Sequence, residues 1–239
     1  MTLLAVKNLS IPYSKNGELP SFSFELNAPA LVFITGSNGI GKSTFLKQLS
    51  GSIPSKQQIF YREKDIDSFS LKEKAGLIGC LEQHHTISFP LVVKDMVVMG
   101  CYRHKPRLAH YDSKDYLLVK EALSALGIDY LYEKNFLHLS GGEQQLCLLA
   151  QLSLQDPDFI LLDEPTQNLD FYNKGKVFEW MEKQVSEKGK TVICITHDLH
   201  WISNMKGYML ALNSTLNALE PLSEERVTHV IEALKRNTL

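Results

Sequence analysis

No apolar run in this 239-residue chain approaches the ~20 residues that a membrane-spanning helix needs, so no such helix is expected. The start, Met1-Thr2-Leu3-Leu4-Ala5-Val6-Lys7, lacks a basic flank followed by a leader-type apolar core, which predicts a chain that stays in the cytosol. Charge of one sign is missing too. With 25 basic against 27 acidic residues, nothing global points to nucleic acid. The four cysteines, Cys80, Cys101, Cys147 and Cys194, form no C-x-x-C pair and mostly sit in apolar segments. Buried free thiols are expected, which leaves no disulfide framework and no structural zinc. What is present is ordinary for a globular protein, 44% hydrophobic and 22% charged, and long enough for one large domain with a sub-domain.

Against that background one stretch stands out. Gly36-Ser37-Asn38-Gly39-Ile40-Gly41-Lys42-Ser43-Thr44 follows the apolar run Leu31-Val32-Phe33-Ile34 and precedes Phe45-Leu46-Lys47-Gln48-Leu49, reading as strand, glycine-rich loop and helix. In that setting the glycines let backbone N–H groups close around phosphate oxygens at the positive end of a helix dipole. Lys42 would reach the β- and γ-phosphates of a nucleotide, and the Ser43 hydroxyl would ligate Mg²⁺.

The segments before it, about Leu3 to Ile11 and Phe22 to Leu26, read as strands of an antiparallel hairpin across the turn-rich Ser14-Lys15-Asn16-Gly17-Glu18. Tyr13 either stacks on a nucleobase or is simply half-buried packing. After the phosphate loop, Lys42 to about Leu49 reads as helix, and Gln57 to Tyr61 and Leu77 to Leu81 as strands. The last delivers Glu82 and Gln83 to its carboxyl end, where α/β sheets collect ligands, so Gln83 either faces a phosphate or its metal or is a solvated loop residue. His84 and His85 read as solvated.

From Pro90 to about Asp156 the pattern turns helical, with Val92 to Gly100 and Asp112 to Leu126 as helices; Asp112 or Ser113 is the expected cap of the second. The basic connector Tyr102 to Arg107 faces either solvent or a membrane-bound partner or anionic lipid. Ser140-Gly141-Gly142-Glu143 then leads to a helix predicted from Leu146 to Leu154. Ser140 and Glu143 have capping-box spacing. Each glycine nevertheless costs about 1 kcal/mol of helix propensity, and free N–H groups without side chains suit a second phosphate-binding terminus.

The run Phe159-Ile160-Leu161-Leu162 ending in Asp163, Glu164 and Pro165 suggests a parallel strand buried on both faces. The two carboxylates either sit solvated in a turn or divide labour, Asp163 holding the Mg²⁺ shell and Glu164 accepting a proton from water. A helix from about Asn173 to Glu187 and a strand from Thr191 to Thr196 follow, the strand placing His197 and Asp198 at the same sheet edge. Gly207 to Leu239 reads as a hairpin and a terminal helix.

Together these segments resemble the ATP-binding subunit of ABC transporters over nearly the whole chain. Gly36 to Thr44 is similar to the Walker A loop, Gln83 to the Q-loop glutamine and Leu139 to Glu143 to the signature motif. Phe159 to Glu164 resembles Walker B with its catalytic glutamate, Asn168-Leu169-Asp170 the D-loop, and His197 the switch histidine. The resemblance implies an α/β fold, a RecA-like P-loop NTPase core with a β-rich edge and an inserted helical sub-domain at about 84–157, in one domain spanning 1–239. Val97 to His104, the signature ending in Glu143, and Thr196 to Leu199 are similar to the iron-siderophore, haem and cobalamin importer branch. Gln145, Leu146 and Gln151 depart from the family pattern, as does the stretch Ala211 to Leu219.

What the resemblance implies is a homodimer sandwiching two Mg-ATP, with Ser140, Gly141 and Gly142 contacting the partner copy's γ-phosphate. Glu164 would be general base, His197 would position the γ-phosphate, and Gln83 would link the nucleotide to integral-membrane permease subunits, served in turn by a solute-binding protein. The chain would sit peripherally on the inner face of the cell membrane. The alternatives are a soluble ABC-type ATPase acting on a macromolecular complex, an importer or exporter of another substrate class, and a non-hydrolysing regulatory module.

Overall fold

The computed structural model describes residues 2–11, 20–83, 90–106, 109–213 and 217–236. Tyr13, His84, His85, Ser88, Phe89 and Arg107 lie outside them. Among the described residues the strands form two sheets. The smaller is antiparallel, with spatial order β2-β1-β4-β5, built from β1 (Leu4–Leu9), β2 (Phe22–Leu26), β4 (Ile59–Tyr61) and β5 (Lys64–Asp65). The larger contains β3 (Leu31–Gly36), β6 (Ile78–Leu81), β7 (Phe159–Asp163), β8 (Thr191–Ile195), β9 (Tyr208–Leu212) and β10 (Leu219–Pro221), in the order β10-β9-β3-β8-β7-β6. Its strands run parallel except β10, which pairs antiparallel with β9.

Parallel strands need crossovers that cover both faces, which is why β3, β7 and β8 are continuously apolar. On β3, Leu31 and Phe33 join a core made by α3 (Val93–Val98), α4 (Ser113–Ala125), α5 (Gly141–Gln155) and α6 (Phe171–Ser186). Val32 and Ile34, on the opposite face, pack with α1 (Lys42–Leu49) and the antiparallel sheet, where the Phe45 ring lies 5.3 Å from that of Phe22. The remaining helices are α2 (Leu71–Leu77), α7 (Leu199–Ile202) and α8 (Glu224–Arg236).

Differences from the expected elements have local causes. Strand β1 stops at Leu9 because Asn8 takes a positive φ of 46° and the register with β2 shifts between Val6 and Leu9. Gln57 belongs to a turn, since Lys56 and Gln57 both have positive φ. The unpredicted α2 is a short helix held by a reciprocal Ser70–Glu73 capping box. Helix α3 ends at Val98 and tightens into a 3₁₀ segment, Met99–His104, so Tyr102 to His104 is not a free connector. The described cations of the connector, Arg103 and Lys105, are committed internally. Arg103 Nη1 donates to the carbonyls of Gln155 and Asp156, both at 3.1 Å, and Lys105 pairs with Asp112 and Asp115. Asp112, rather than Ser113, caps α4. Helix α5 starts at Gly141, five residues before the apolar stretch, because the Ser140–Glu143 box forms there. Cys101, Cys147 and Cys194 are buried free thiols, whereas Cys80 is exposed because β6 is the edge strand of its sheet.

Candidate active site

Register alone brings the site together. Ile195 of β8 stands opposite both Ile34 of β3 and Asp163 of β7, while Leu81 of β6 stands opposite Leu162. Continuing each strand by one or two residues puts the phosphate loop, His197, Glu164 and Gln83 on one edge, with Gln83 level with Glu164. A cleft of about 530 Å³ opens there, lined by Asn38, Gly39, Gly41, Lys42, Ser43, Thr44, Gln83, Glu164, Gln167 and His197.

Gly41 caps α1 at φ +106°, and a Cβ there would fall 2.5 Å from Ile11 Cγ2, so only glycine fits. Gly36 ends β3, and Ser37 and Ile40 complete the turn, Ile40 N–H donating to Ser37 O at 3.3 Å. Lys42 is only 7% exposed; its ammonium donates to the carbonyls of Gly36 (2.8 Å) and Ser37 (3.1 Å). Burial pulls its pKa below 10.5, partly offset by Glu164 and Asp163.

Asp163 is buried at the end of β7. Burial raises its pKa above the ordinary carboxylate value and Glu164 adds to the rise, while a hydrogen bond from Ser43 and the Lys42 charge oppose it. The chain then turns sharply: Glu164 has φ +51°, and its N–H donates to Ile195 O at 3.0 Å. Such a left-handed non-glycine residue is strained, and strain of this kind collects at functional sites. The Glu164 carboxylate spans two partners, with Oε1 3.2 Å from His197 Nε2 and Oε2 3.4 Å from Gln83 Nε2. Burial first, then the Lys42 charge, lowers the His197 pKa below 6.5, so the ring is neutral at pH 7 and its Nε2–H donates to Glu164.

Beside the cleft, Ser43, Gln83 and Asp163 line a second pocket together with Cys80 and Glu82. A hydroxyl, an amide and a buried carboxylate whose charge is under-compensated are a fitting donor set for a hard divalent cation. Ser140, Gly141 and Gly142 line neither pocket. A Cβ on Gly142 would lie 3.0 Å from Leu169 Cδ2, whereas one on Gly141 would meet open space.

Sequence reasoning placed Asp198 at this edge without giving it a role and missed the other supports. Asp198 accepts from Thr166 Oγ1 and from Lys174 Nζ, each at 2.6 Å, tying the loop after β8 to the loop after β7 and to α6. Gln167 Oε1 accepts from Gln83 Nε2 at 3.0 Å. Their signal lies in the register of the strands rather than in any spacing along the chain.

The ABC transporter family matches residues 19–167. The chain therefore belongs to the ABC transporter family. This cassette is 29% identical to the petrobactin import ATP-binding protein YclP of Bacillus subtilis, over 99% of this chain and 94% of the relative. It is 30% identical to the ferric enterobactin transport ATP-binding protein FepC of Escherichia coli, over 93% and 82%. A solved inward-facing metal-chelate type ABC transporter superposes with a TM-score of 0.80 at 28% identity, covering 99% of the cassette and 90% of that chain. The cassette is an ATP-binding ABC ATPase with a RecA-like P-loop core, and its relatives lie in the importer branch that its motifs resembled.

Proposed function

We propose that this chain, as a homodimer, hydrolyses Mg-ATP to power import of an iron-siderophore, haem or cobalamin through a membrane permease. The observation that carries the reading is the Glu164 carboxylate, held between His197 and Gln83 on the wall of the cleft that Lys42 and Ser43 also line. A carboxylate fixed at both oxygens, next to a phosphate-binding loop, is placed to take a proton from water as its oxygen bonds to the γ-phosphorus and the β–γ bridge breaks toward ADP.

Each residue then has one task. Lys42 would trade its two loop carbonyls for phosphate oxygens, and the N–H groups from Gly36 to Thr44 would cradle the phosphates. Neutral His197 has a single N–H, which Glu164 accepts in this structure and which would turn to the γ-phosphate once ATP is bound, without adding positive charge. Ser43, Gln83 and Asp163 would hold Mg²⁺, which when bound neutralises charge developing on the phosphates. The open space at Gly141 leaves the start of α5 free to meet a nucleotide held by the partner copy. Tyr13 would stack on the base.

Among the described residues no helix is long and apolar enough to cross a membrane, so transport needs a partner. In our reading the chain is one domain whose segment 84–157 is the sub-domain turned to the permease, on the inner face of the cell membrane. With Arg103 and Lys105 occupied internally, the exposed Met99 and Tyr102 become the contacts offered there. A solute-binding protein would deliver the cargo.

The test is Glu164→Gln, which keeps shape but loses the base, worth roughly 10²–10⁴ in rate. ATP turnover should collapse while ATP binding survives, with an ATP-dependent dimer on size-exclusion chromatography in the presence of the permease. Wild-type turnover would show that another group is the base.

A further inference from the structure

Gln83 lines both the phosphate cleft and the neighbouring pocket of Ser43 and Asp163, so which end of its amide faces which neighbour matters. The structure decides this through two acceptors. Glu164 Oε2 accepts from the Gln83 N–H₂ end at 3.4 Å. The remaining N–H then goes to the carbonyl oxygen of Gln167 at 3.0 Å, the shorter and better of the two bonds. An amide anchored by its nitrogen leaves its carbonyl oxygen free, and an oxygen is what a hard cation takes.

We propose that Gln167 is a positioning residue for the nucleotide's cation: it anchors the Gln83 amide nitrogen so that the Gln83 carbonyl oxygen is presented to the pocket of Ser43 and Asp163. Side-chain length is part of the device. Gln167 lies in the turn that follows Glu164, its N–H donating to Glu164 O at 3.1 Å. Its carbonyl oxygen stands at the end of the side chain, and an asparagine there would be one methylene short. The same turn continues through Asn168, at φ +64°, to Leu169 beneath Gly142, so the anchor of Gln83 sits on the segment that also touches the start of α5. This inference rests on the reading of Gln83 as a cation contact.

The test measures binding rather than turnover. The affinity for adenylyl imidodiphosphate is titrated calorimetrically in Mg²⁺ and in EDTA, and the ratio of the two dissociation constants reports the cation's share. Gln167→Leu should lower that ratio by about three- to tenfold, the scale of one lost hydrogen bond, with the EDTA affinity unchanged. Gln167→Asn should fall with it. Gln167→Glu, which keeps an acceptor at full length, should hold the wild-type ratio or exceed it. In a Gln83→Ala background, Gln167→Leu should have no further effect. A wild-type ratio in Gln167→Leu, or equal losses in the Leu and Glu variants, overturns the proposal. If Gln83→Ala lowers the ratio while Gln167→Leu does not, only the role of Gln167 falls. If Gln83→Ala leaves the ratio unchanged, the cation reading of Gln83 falls and takes this inference with it.

Discussion

Replacing Lys42 by methionine separates two roles that the structure assigns to one side chain. The ammonium is nearly buried and donates to Gly36 O and Ser37 O, so it props the loop. Burial is also the leading cause of its lowered pKa. The folded chain therefore gives up this proton at a lower pH than the unfolded chain, which holds it to about 10.5. Below that window the buried charge opposes folding, and the opposition is relieved as pH rises through it. Methionine keeps the length, removes the buried charge and loses two hydrogen bonds; these effects oppose each other, so stability without ligand should change by less than about 1 kcal/mol. Nucleotide binding has no such compensation. Losing a charge-assisted bond to phosphate costs about 1.5–3 kcal/mol, or roughly 10- to 150-fold in Kd. At an ATP concentration about 100 times the wild-type Kd, ligand stabilises the parent by about 2.7 kcal/mol. A variant weakened roughly 10- to 150-fold should retain only about 1.4 to 0.3 kcal/mol of that. Denaturation with and without Mg-ATP reads both quantities in one experiment. A Lys42→Met protein with the full ATP-induced shift, or one that unfolds far more easily without ligand, would refute the argument.

Three further outcomes are expected. His197 should titrate below 6.5 by NMR of its ring and lower still in Glu164→Gln, because the glutamate charge is one of the causes raising its pKa; since unfolded histidine takes a proton that folded His197 refuses, stability falls as pH drops from 6.5 through the folded pKa. Gly141→Ala, whose Cβ meets open space in this chain, should raise thermal stability by roughly 0.5–1 kcal/mol yet abolish turnover, and unchanged turnover would count against a second copy closing on that helix start. Arg226 is 8% exposed, pairs with Glu220 at 3.0 Å and leaves Nε and Nη2 without hydrogen-bond partners among the described residues, so Glu220→Ala should destabilise by about 1–3 kcal/mol in urea titration.

The parts of the molecule legible in sequence were those whose signals are local. An apolar run followed by Gly-rich residues and a lysine can hardly be anything but β3, the loop and α1, and continuous apolarity named β7 and β8 as strands buried on both faces. Sequence reading failed where local propensity and tertiary packing diverge. Nothing along the chain shows that Arg103 would turn inward to the carbonyls that end α5, since a basic cluster beside a proline reads equally well as a solvated loop. The β4 boundary slipped because positive φ at Lys56 and Gln57 follows from the turn they close, not from their own preferences.

The chemically reactive residues are legible in sequence for the same local cause, while the roles of their supports are not. Lys42, Glu164 and His197 each stand at the end of a recognisable strand or loop, and charge at a strand end is visible in one dimension. Gln167, Asp198, Thr166 and Lys174 are polar residues whose meaning comes from the strand beside them: Gln83 comes level with Glu164 only once Leu81 pairs with Leu162, and only then does Gln167 acquire a partner. Sheet register is therefore the step at which scattered polar residues become one site. A one-residue slip of β6 against β7 would turn Gln83 to the opposite face of the sheet, leaving Glu164 with His197 and the neighbouring pocket without its amide.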